Sequence, residues 1–75
     1  KQNHPKPAEL AARERVLSWA ASYVADPEWF IQKAVGWWLR ELSKHDADRV
    51  QTFLSDHGDA MKPFARREAS KYLPG

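Results

Sequence analysis

The residues best placed to do chemistry lie in the run IQKAVGWWLRELSK, residues 31–44, where Trp37 and Trp38 stand side by side among Lys33, Arg40 and Lys44. A tryptophan face attracts cations and stacks on flat rings, and lysine and arginine hold phosphates, so this combination points to recognition of a nucleic acid. Bond-breaking constellations are scarce. His4, His45 and His57 have no His-Glu-x-x-His spacing or comparable metal pattern, and the three glycines are too scattered for a phosphate loop. Ser18, Ser22, Ser43, Ser55 and Ser70 lack a triad-like context. No metal or cofactor is implied.

These side chains must be carried by helices. The pattern predicts four and no strand, over about 7–25, 27–44, 47–57 and 63–73. In the first, Leu10, Leu17, Ala20, Ala21 and Val24 form one stripe. Asp26 is an N-cap with Pro27 in the first turn of the second helix; Asp46 is an N-cap for the third, which carries Val50, Phe53 and Leu54 and stops at Gly58. Pro63 opens the fourth, whose stripe is Ala65, Ala69, Tyr72 and Leu73. Helix pairs joined by short turns have the rhythm of an all-α, HEAT-like superhelix, and two antiparallel pairs would be part of a longer array. A free-standing four-helix bundle is the alternative.

In the second helix Ile31, Ala34, Val35, Trp38, Leu39 and Leu42 follow an i, i+3, i+4, i+7 rhythm, which predicts a buried Trp38. At ~100° per residue Trp37 points roughly 130° away from the centre of that stripe, together with Trp29, Phe30, Lys33, Arg40 and Lys44. Two explanations compete. The far side packs on a neighbouring repeat, which suits Trp29 and Phe30; or it is a basic groove with an exposed ring, which suits Trp37 among its cations.

Composition sets the frame. Seventy-five residues make one small domain with a thin core, and the chain carries a net charge of +2. Four aspartates against one arginine make residues 45–59 acidic, and four cations against Glu68 make residues 62–75 basic. Such an asymmetry orients a domain on a phosphate backbone, or is ordinary solvated surface. With no cysteine, disulfides and thiolate–zinc sites are excluded. No apolar run approaches the ~20 residues of a membrane span and no signal peptide is visible, so a cytoplasmic location is expected. A start at Lys1, a lone Met61 and a polar two-proline lead-in predict a linker over 1–6 and further sequence before it.

The run FIQKAVGWWLRELSKHD, followed by FLSDHGDAMKPFARREASKYL, resembles the C-terminal part of the AlkD-like DNA alkylation repair proteins over about residues 26–73. These are HEAT-like glycosylases that remove N3- and N7-alkylated purines from DNA. The dense string QKAVGWWLRE carries the resemblance; RREA alone would be weak. By position Trp37 falls on the family's active-site tryptophan and Arg40 on its DNA-contacting arginine. Lys33 and Lys44, with Arg66, Arg67 and Lys71, are further candidates for phosphate contacts. Trp38 and Leu42 depart from the family pattern on the core stripe. The resemblance implies a monomer acting on double-stranded DNA with alkylated purines, away from membranes. It also implies that the catalytic aspartate and a second active-site tryptophan belong to an earlier repeat. None of Asp26, Asp46, Asp48, Asp56 or Asp59 has a matching context, so this segment alone is expected to be inactive. The rival expectation is a non-catalytic HEAT-like module that binds DNA or a protein partner.

Overall fold

The structure, a computed structural model, describes residues 6–74; most of the expected linker lies outside this range. Four helices follow one another: α1 (Pro7–Tyr23), α2 (Trp29–Ser43), α3 (Ala47–His57) and α4 (Pro63–Ala69), with a 3-10 turn at Gly58–Ala60. There is no strand among the described residues. The architecture is all-α and compatible with a HEAT-like arrangement. No helix is long and apolar enough to cross a membrane among the described residues.

Local chemistry sets the ends. Pro7 and Pro63 occupy first-turn positions, where a missing N–H leaves no helical bond unmade. Asp46 accepts from the backbone N–H of Arg49 at 3.1 Å and starts α3 as expected. Asp26 acts two residues earlier than a cap: it accepts from the N–H of Glu28 at 2.8 Å, and Glu28 is the cap of α2. The helix therefore begins at Trp29, and Pro27 stays in the connection. At the end of α3, Gly58 keeps right-handed torsions (φ −60°, ψ −31°) and runs into the 3-10 turn. It is not a left-handed cap. α1 and α4 are shorter than expected, α4 closing at Ala69 before a turn over Ser70–Leu73.

Leu17, Ala20, Val24, Val35, Leu39, Leu42, Val50, Phe53, Leu54, Met61, Ala65 and Ala69 form the core. Leu10, Ala34 and Tyr72 are exposed, against expectation, and Trp38 is only partly buried at the edge of the core. The reason lies in α2. Its buried set is Gln32, Val35, Gly36, Leu39, Leu42 and Ser43, a regular helical stripe rotated by roughly 70° from the apolar one. Apolar patterning is blind to Gln32 and Gly36, yet these are the residues that face α4.

Three contacts along one line of α2 fix that helix to α4. Gln32, 1% exposed, donates to the carbonyls of Val24 (2.7 Å) and Asp26 (2.6 Å) and accepts from the N–H of Lys62 (2.9 Å). It thereby ties the α1–α2 connection to the start of α4. One turn on, Gly36 packs so closely on Ala65 that a Cβ there would lie 2.8 Å from the Ala65 carbonyl oxygen. After another turn, Arg40 reaches Glu68. Partner numbers rise together, so the two helices run in the same direction. In an up-and-down bundle the second and fourth helices sit diagonally, whereas alternate helices of a stacked array lie side by side.

Candidate nucleic-acid interface

Close approach at Gly36 and Ala65 leaves a shallow pocket beside the α2–α4 seam. Its volume is about 70 Å³ and it is lined by Trp29, Lys33, Trp37, Phe64 and Glu68. α2 supplies the first three at i, i+4 and i+8, one above another on one side. Phe64 and Glu68 come from α4 with the same four-residue spacing. Trp29 and Phe64 stack with ring centroids 5.9 Å apart and planes 19° apart. Phe30, 71% exposed, meets Trp29 edge-on at 5.2 Å.

Trp37 is 50% exposed and forms part of this wall, while its neighbour Trp38 turns toward the core. The adjacent tryptophans thus serve different surfaces. Lys33 lies in the same pocket, its Nζ 5.3 Å from the centroid of Trp29.

The other expected cations are distributed less simply. Arg40 does not stand free beside Trp37. Its Nη1 donates to Glu68 Oε2 and its Nη2 to Glu41 Oε2 at 3.2 Å, so two carboxylates face one guanidinium. Its Nε is buried with no hydrogen-bond partner among the described residues. Lys44 pairs with Glu41 at 3.2 Å and lies 5.3 Å over the ring of Tyr72. Hydrogen bonds from Lys44 and then Arg40 hold the Glu41 carboxyl below the usual carboxylate range. Arg66 reaches Asp59 at 2.9 Å, and Lys71 lies 5.7 Å from the Tyr72 centroid. Arg67 is exposed and enters no ion pair among the described residues. Lys33 and Trp37 therefore share one pocket, Arg40 joins it through Glu68, and Lys44 and Lys71 gather around Tyr72.

Phe64 and Glu68 escaped sequence reasoning as members of this site. Their four-residue spacing was visible, but only the α2–α4 contact brings them to Trp37.

A larger cavity, about 260 Å³, lies between α1 and α3 and shares no lining residue with the pocket. Glu14 and Arg49 face each other across it through two 2.8 Å hydrogen bonds, Arg49 Nε to Oε2 and Nη2 to Oε1. Arg49 holds Glu14 below the usual carboxylate range, and the pair answers its own charge. Size alone does not make this cleft the site: its rings are Phe53 and His57, its arginine is committed to Glu14, and Trp29, Trp37 and Lys33 lie at the other pocket. No three His, Asp or Glu side chains among the described residues are grouped to hold a metal ion.

No curated protein and no solved structure matches the chain. A family model does, and it spans nearly the whole sequence. Residues 2–73 match the DNA alkylation repair enzyme family, and the chain belongs to that family.

Proposed function

We propose that this chain is the C-terminal part of a DNA glycosylase that removes N3- and N7-alkylated purines from double-stranded DNA. The observation that carries this reading is Trp37: half-exposed in an aromatic pocket with a carboxylate at its edge, in a chain of a DNA alkylation repair family. A purine alkylated at N3 or N7 carries a positive charge and leaves readily, so general acid is little needed. What remains is to stabilise a sugar that develops oxocarbenium character, for which carboxylates and aromatic faces suit. The Trp37 face supplies a cation–π contact worth ~0.5–2 kcal/mol to the charged base or the sugar cation. Lys33, Arg67 and Lys71 are the cations most available to phosphates, with Arg40, Lys44 and Arg66 behind them in ion pairs. None of the five aspartates after residue 25 lines the pocket. We therefore assign the aspartate of the reaction to sequence beyond these residues, in a cytoplasmic monomer.

A second reading is a HEAT-like module that binds DNA or a protein without catalysis, and one observation favours its protein-binding form. Arg40 and Arg66 are engaged by Glu68, Glu41 and Asp59, which makes the basic surface weaker than the cation count implies.

Single-turnover release of N7-methylguanine from methylated duplex DNA separates the two. The full protein should release the base, and Trp37→Ala should slow it about tenfold, the effect of losing a contact of ~1–2 kcal/mol. DNA binding with no release supports the non-catalytic module. Full activity in Trp37→Ala removes that tryptophan from the reaction.

A further inference from the structure

The cleft between α1 and α3 has no part in the proposed reaction. Its floor is apolar: Leu17 and Phe53, each 2% exposed, belong to the core, and Ala21 lies beside them. Its rim is charged. Hydrogen bonds to Glu14, and then the charges of Glu14, Asp46 and Asp56, favour the Arg49 guanidinium, so one cation stands near three carboxylates. Asp56 lines the cleft and enters no ion pair among the described residues. It sits in the last turn of α3, where the helix dipole disfavours a negative charge. Arg49 lies two turns back on the same side of the helix, but its Nε and Nη2 both go to Glu14.

We propose that the α1–α3 cleft docks an arginine side chain presented by a protein partner. The aliphatic stem lies on Leu17, Ala21 and Phe53, and the guanidinium meets Asp56 with Ser18 and Glu14 beside it. The cleft shares no lining residue with the Trp37 pocket, so the partner and a nucleic acid have separate sites. The proposal goes beyond the glycosylase reading and holds whether the chain cleaves DNA or only binds it.

Charge selects the class of guest. Glu14 and Asp56 against Arg49 leave the lining one negative charge in excess. A single excess charge over an apolar floor suits one cation on an aliphatic stem. A polyamine would bring further charges with no carboxylate in the lining to meet them. The acceptors favour arginine over lysine. Asp56 offers two oxygens, each Glu14 oxygen accepts once from Arg49, and Ser18 adds a hydroxyl. Such a set suits the five N–H donors of a planar guanidinium better than the three of an ammonium. Size agrees: about 260 Å³ is room for roughly eight waters at ~30 Å³ each, close to the roughly seven heavy atoms of an arginine side chain.

The test uses N-acetylarginine amide and N-acetylcitrulline amide, which match in size and differ by one charge. Each is titrated into the full protein while NMR follows the backbone amides of Ser18 and Arg49 and the indole N–H of Trp37. The arginine derivative should shift the two amides and leave Trp37 unmoved, and the citrulline derivative should bind more weakly. Asp56→Asn should weaken binding of the arginine derivative about threefold. Asp48→Asn makes the same charge change at another exposed position of α3, outside the cleft, and should leave that binding unchanged. Both side chains are exposed, so neither variant threatens the fold. Equal binding of citrulline, unchanged binding in Asp56→Asn, or an equal loss in Asp48→Asn each overturns the proposal. Spermidine acting on the same amides at about a hundredfold lower concentration would assign the cleft to a free polyamine and overturn the protein partner. Shifts of these amides on concentrating the protein alone would make the occupant a second copy, and likewise overturn it.

Discussion

Gln32 is the side chain whose loss should be felt furthest from where it sits. Replacing it with methionine keeps length and volume but removes two donors and one acceptor. The carbonyls of Val24 and Asp26 and the N–H of Lys62 then lose their partner together. At about 1 kcal/mol net for each bond the variant should lose about 3 kcal/mol. A domain of this size has only ~4–11 kcal/mol in all, so the loss is a large fraction of it. Each kcal/mol lowers Tm by about 4–8 °C in such a domain, which predicts a fall of about 12–24 °C. Thermal unfolding followed by circular dichroism at 222 nm measures it. Gln32→Glu should be at least as damaging at neutral pH, because a carboxylate would face two carbonyl oxygens, and should recover partly as acid protonates it. A Tm within about 4 °C of the parent for Gln32→Met would refute the reasoning, showing that water satisfies those three groups.

Other consequences follow from the same geometry. Gly36→Ala should lower stability by about 1–2 kcal/mol despite the better helix propensity of alanine, because the new Cβ meets the Ala65 backbone; urea unfolding gives the value, and an unchanged midpoint would mean that α2 and α4 part easily. If the basic surface holds DNA, Arg67→Ala should reduce the slope of log K against log salt by about one phosphate contact. Arg40→Ala should change that slope less, since its guanidinium is already committed to Glu68 and Glu41; equal changes would contradict this. Arg49→Met should destabilise the protein by at most about 1 kcal/mol at neutral pH, the pair being largely exposed. Because Glu14 is held below its unfolded pKa, that contribution is present above about pH 5 and lost as pH falls through the folded value. Parent and variant should therefore converge in acid once Glu14 is protonated in the folded state as well, and a gap that persists there would assign the effect to packing.

Much of the architecture was legible because its signals are local. Pro7 and Pro63 mark helix starts through a fixed φ and a missing N–H, Asp46 through a bond made three residues on, and the phase of Trp37 against Trp38 needs only helical geometry. What escaped reading depends on partners about 30 residues away. Gln32 in a buried stripe looks like an error until Lys62 supplies its third bond. Arg40 in a basic run reads as free until Glu68 arrives from α4. The pocket was half legible for the same reason: Trp29, Lys33 and Trp37 follow helical spacing, whereas Phe64 and Glu68 reach them only through the closeness that Gly36 permits.

The line of Gln32, Gly36 and Arg40 facing α4 also bears on how fast the pocket adapts. A hydrogen bond at one end, a backbone contact in the middle and an ion pair at the other end leave the two helices little freedom to roll or slide past each other. Adjustments of that kind belong to collective motions on the microsecond-to-millisecond scale. With the frame clamped at three points, the walls can yield only by rotation of exposed side chains such as Trp29, Lys33 and Trp37, which takes picoseconds to nanoseconds. Adaptation of these walls should therefore be governed by side-chain rotation alone, and relaxation-dispersion NMR of the α2 and α4 backbone amides should be flat.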